Sequence, residues 1–122
     1  MYFGPQFQSE RRQVYRLMHQ IYTLLNSGEW SVCYARIGEN YRMQEMFGLN
    51  PDSVGFCEPI DQIMYIDPCC DVLATLIHEC LHAIFPDKTE DDIIKLEEMI
   101  MRHLTPTQAR RLHMISAEAL IY

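Results

Sequence analysis

The 122-residue chain is poor in basic side chains, with 10 Lys and Arg against 17 Asp and Glu and a net charge of −7. Its only adjacent cationic pairs at the two ends are Arg11-Arg12 and Arg110-Arg111. A surface built to neutralise phosphates is therefore absent, and no nucleic-acid partner is expected. The five cysteines, at 33, 57, 69, 70 and 80, are odd in number and contain no C-x-x-C pair. That pattern excludes a four-thiolate zinc ribbon and argues against a disulfide framework, so a reducing, cytoplasmic setting is expected. No apolar run is long enough to span a bilayer, and no basic stretch followed by an apolar one opens the chain; neither membrane insertion nor export is expected. With 5 Gly and 6 Pro there is no linker, repeat or low-complexity tract. Hydrophobic residues make up 48%, which suits one domain around one core.

What the chain does contain is an apolar run from Asp71 to Phe85 that carries His78, Glu79 and His82. A helix advances about 100° per residue, so the two histidines fall on one face within about 40° of each other. They form the jaws of a metal clamp. Glu79 lies about 60° further round, displaced from ligation but within reach of a water on the metal. The pattern is H-E-x-x-H, two zinc ligands and a general base. Uncharged neighbours make unpartnered imidazoles and a carboxylate costly here, and a cation would partner all three. Asp67 as cap, Pro68 at the first helical position and Pro86 as stop would bound this helix. Cys80, about 200° from His78, should pack behind it.

Elsewhere the periodicity predicts a packing helix from Ser9 to Asn26, with His19 and Arg11-Arg12 on its polar side, and a strand from Trp30 to Ile37. A short helix is expected from Tyr41 to Phe47, ended by Gly48. Val54 to Glu58 and Gln62 to Asp67 read as a hairpin. A helix capped by Thr89 should run to about His103, and a capping box at Thr105 with Gln108 should open the last helix. The expected class is α+β: an N-terminal helix, a small sheet of about three strands, then the H-E-x-x-H helix and two C-terminal helices.

Catalytic zinc takes three protein ligands and keeps one position open. On the helix after Pro86, Glu90 and Glu97 both lie within the apolar stripe, about 20° apart in projection. An antiparallel return would place Glu90 near His82 and Glu97 about two turns away near His78, which leaves both as candidates. Asp87 in the connecting loop is a third. Asp71 and Thr75 are candidates for orienting a ligand. His103, His113 or a tyrosine could stabilise an oxyanion, with nothing in the spacing to choose among them.

The stretch from Thr75 to Glu90, through His78, Glu79, Cys80, His82 and Ala83, resembles the zincin metallopeptidases. It is most similar to the small gluzincin-type proteins common in bacteriophages and bacteria, over roughly Ile63 to Leu104. The resemblance implies a minimal zincin-like domain with one catalytic Zn2+ held by His78, His82 and Glu90, and Glu79 as base. It further implies a peptide or protein substrate paired to the strand Ile63 to Ile66, and the host cytoplasm if the chain is phage-encoded. The Gly and third His of metzincins are missing, with Phe85 and Lys88 in their places. Peptide deformylases share a His-Glu-Cys-x-His string but need an upstream cysteine ligand that Ser31-Val32-Cys33 matches poorly. A zincin-fold binding module with a structural zinc, or a non-peptide zinc amidohydrolase, are the alternatives.

Overall fold

The computed structural model describes residues 4–69 and 71–121, and Cys70 lies outside them. The chain is α+β, with an N-terminal helix, a small mixed sheet and helices at the C-terminal end. In order it forms α1 (Pro5–Asn26), β1 (Ser31–Tyr34), a 3-10 turn (Ile37–Glu39), α2 (Tyr41–Phe47), β2 (Gly55–Glu58), β3 (Ile63–Ile66), α3 (Val72–Ile84), α4 (Glu90–His103), α5 (Pro106–Ala117) and β4 (Leu120–Ile121). None of the described helices is long and apolar enough to cross a membrane.

The strand order is β2-β3-β1-β4. β2 and β3 pair antiparallel, whereas β1 lies parallel to β3 and to β4. Ile63 to Ile66 is thus interior, flanked on both sides, and the expectation that it pairs with substrate is overturned. The open edge nearest α3 belongs to β2. Hydrogen bonding of Asp67 N–H to the Val54 carbonyl (2.8 Å) sets the alternation of that ladder. Val54, Phe56 and Glu58 therefore turn their peptide groups toward β3, while Gly55 and Cys57 turn theirs outward.

One face of the sheet carries the main core, in which Val14, Leu17, Met18 and Ile21 of α1 meet Met64 and Ile66, Leu76, Ile77 and Leu81 of α3, and Ile93 and Ile100 of α4. The other face packs Tyr65 and Cys33 against Met43 of α2, with Phe47 and Phe56 alongside. Cys80 is fully buried behind α3, its Sγ 3.8 Å from Met64 Sδ.

The hairpin turn is fastened by Glu58, whose buried carboxylate accepts from the N–H groups of Ile60 (2.9 Å) and Asp61 (2.6 Å). Gln62 closes the turn with φ 56°, a left-handed position that a non-glycine residue adopts at some cost.

α1 begins four residues before Ser9, with Pro5 at its first turn, and β1 is shorter than Trp30 to Ile37 because the 3-10 turn takes its end. α3 also begins later than expected. Asp71, not Asp67, is its cap and accepts from Ala74 N–H (3.1 Å), while Asp67 accepts from Cys69 N–H (2.9 Å) and forms a turn around Pro68. Local turn formation outcompetes the helix there. Removing the cap with Asp71→Ala should cost about 1 kcal/mol in denaturant unfolding, whereas Asp67→Ala should cost less than half of that.

Candidate metal centre

His78 and His82 project from consecutive turns of α3, and α4 returns antiparallel after the short link through Pro86, so that its first turn lies over them. Glu90 opens α4 behind the cap Thr89, whose side chain accepts from Asp92 N–H (3.2 Å). One Glu90 oxygen is 2.7 Å from His78 Nε2 and the other 2.7 Å from His82 Nε2, and the two Nε2 atoms are 3.2 Å apart. These donors converge on one point, and His78, His82 and Glu90 form a group that can hold a metal ion. Two imidazole nitrogens facing each other beside a carboxylate are the donor set that a divalent cation satisfies. The Glu90 side chain is 58% exposed against 16% for His78, so the ion would be reached from the α4 side.

Glu97, the other acid left open by the sequence, contacts the opposite nitrogen. Its Oε1 is 2.7 Å from His78 Nδ1. In that position it can accept an Nδ1–H, which would leave the Nε2 lone pair for a metal, the arrangement that fixes a ligating histidine's tautomer and ring orientation. The two acids thus divide the two nitrogens of one ring. Asp87 is exposed in the link between α3 and α4 and is not part of the group. Asp71 is occupied in capping, and Thr75 is buried beside Glu79 and Gly55.

Glu79 is buried at 5% exposure on the side of α3 that faces β2. A Cβ at Gly55 would come within 2.7 Å of both Glu79 Oε2 and Thr75 Cγ2, so the missing side chain is what lets β2 lie against this carboxylate. Burial, and secondarily the Glu90 and Glu97 charges, push the Glu79 carboxyl up to about 7, against an opposing pull from His78. Cys57, on the same strand, is pushed up to about 12, chiefly by burial and then by the charge of Glu79.

A cleft runs past the centre, bounded by Trp30, Cys57, Pro59, Gln62, Ala83 and Pro86 on one side. On the other side it continues along Asp52, Ser53, Thr75 and Glu97. Gln62 and Trp30 carry no motif and were invisible as site residues. The oxyanion candidates are elsewhere: His103 sits beside Glu10 (3.1 Å) and Phe7 at the far end of α4, and His113 is exposed on α5. Comparison of the chain with protein-family models, curated proteins and solved structures gives no match.

Two outcomes follow from this geometry. Glu97→Ala should weaken divalent-metal binding by roughly 10- to 100-fold by isothermal titration, with Glu97→Gln intermediate because its amide oxygen still accepts. The second concerns metal-free protein. With its pKa raised from the ordinary 4.5 to about 7, Glu79 binds its proton more tightly in the folded chain, so its contribution to stability falls as pH rises across that interval. Thermal melts in chelator should find Glu79→Gln more stable than the parent at pH 8, with the difference vanishing near pH 4.

Proposed function

We propose that the chain is a zinc-dependent peptidase. The fit of the donor set supports zinc: two imidazoles and one carboxylate, with a solvent-facing side, match the three-ligand pattern of catalytic zinc sites. When bound, zinc would supply a Lewis acid for the scissile carbonyl and a water acidified to near neutrality. The observation that carries the reading is the placement of Glu79, a buried carboxyl one residue along from a candidate ligand and facing an open cleft. A carboxylate so placed can take a proton from water and pass it to the leaving amine. Glu97 holds the His78 ring while this occurs.

The outward peptide groups of Gly55 and Cys57 give an extended substrate a backbone to pair with. Pairing through main-chain atoms is sequence-tolerant, and it brings the substrate's peptide bonds past Glu79, against which Gly55 lies. A polypeptide in extended form is thus the partner that this edge and this carboxyl serve together.

Glu79→Gln tests the reading. In the zinc-loaded protein it should lower cleavage of an unfolded protein such as casein by at least about 1000-fold while leaving zinc content unchanged. Parent protein that carries zinc stoichiometrically yet cleaves no more than the variant would instead make the metal a structural tie between α3 and α4.

A further inference from the structure

The two sides of the cleft differ in chemistry. Toward Asp52 it is polar and acidic, with Ser53, Thr75 and Glu97. Toward the hairpin turn and the end of α3, the lining residues other than the metal group and Glu79 carry no charge, among them Trp30, Phe56, Pro59, Gln62, Ala83 and Pro86. Trp30 precedes β1 directly, beside the turn residue Gln62, whose carbonyl accepts from Ser31 N–H (2.9 Å). It is the only tryptophan in the chain. Its ring is half-buried, packed against the margin of the main core yet still bordering the cleft.

We propose that Trp30 is a specificity-determining residue, and that the substrate is an extended polypeptide presenting a bulky apolar side chain, Phe or Leu, to the wall formed by Trp30, Pro59, Ala83 and Pro86. This deepens the peptidase reading and rests on it. Three observations converge. The outer margin of β2 is open, and an extended strand paired to it sends alternate side chains to one face. Apart from Glu79 and Glu90 at the metal group itself, the face it meets on the Trp30 side offers no cation or anion to pair with a charged side chain, which would lose its hydration there without compensation. Trp30 and the two prolines are rigid, so the wall loses little conformational freedom on being covered. The polar side toward Asp52 accepts the residues across the scissile bond without comparable selection, because Asp52 is exposed and already solvated.

The experiment uses the full zinc-loaded chain as Glu79→Gln, which prevents turnover, and end-blocked hexapeptides of Ser and Ala with a single Phe, Leu, Ala, Lys or Asp in a central position. Trp30 is the reporter. Phe and Leu peptides should shift its emission to the blue and bind about tenfold or more tighter than the Ala peptide, with Lys and Asp no better than Ala. By calorimetry Trp30→Ala should remove most of that preference and change the Ala peptide's Kd less than twofold; Trp30→Phe should retain it. Equal binding of all five peptides, or a preference that survives Trp30→Ala, would overturn the assignment. Emission and calorimetry of the parent do not depend on the variant folding. Selective binding of the Phe peptide with no cleavage by the unsubstituted chain would sustain the assignment while removing the peptidase reading, and cleavage indifferent to the apolar residue would do the reverse.

Discussion

Everything around the centre depends on the antiparallel return of α4 over α3. The link from Phe85 to Thr89 is too short to let the second helix wander, and Lys88 lies over the Phe85 ring within it (5.4 Å to the centroid). That turn sets Glu90 at the level of both Nε2 atoms and, two turns on, Glu97 at the level of His78 Nδ1. A single imidazole is held from both sides by the same helix. Apolar packing of Ile93 and Ile100 against α1 and α3 keeps α4 in that rotation, so the core and the centre are specified by adjoining strips of one helix face.

β2 plays the complementary part from the sheet. Its side chains facing α3 are a glycine and a cysteine, and the small volume of Gly55 lets a strand lie against a buried carboxyl that would otherwise be pushed aside. Because β1 and β3 are both flanked, the strand with an open margin toward α3 is also the strand that Glu79 faces. The buried carboxyl and the open strand margin therefore meet at one contact, that of Glu79 with Gly55.

Much of this was legible in the sequence, for reasons that are local. The spacing of His78 and His82 places them on one helical face whatever the surroundings, and the caps at Thr89 and Thr105 act within a turn of themselves. The choice between Glu90 and Glu97 was not legible, since both share a stripe, and their roles are separated only by which nitrogen of His78 each one reaches. Strand order was half visible: β2 is the expected hairpin partner of β3, yet the other neighbour of β3, β1, comes from before α2 and no local signal announces that pairing. β4 is two residues long and exists only as a pairing with β1, so no periodicity could announce it. Pro68 misdirected the start of α3 because a proline suits a turn as well as a first helical turn, and Asp67 completes that turn.

The elevated Cys57 thiol has a practical corollary. A sulfhydryl that stays protonated at neutral pH is a poor nucleophile toward alkylating reagents, even in an open cleft. Cys33 and Cys80 are buried, and Cys69 alone among the described cysteines is exposed. Maleimide dyes or spin labels should therefore attach on the surface at Cys69 long before they touch the thiol beside the histidines, giving a spectroscopic handle that leaves the cleft chemically intact.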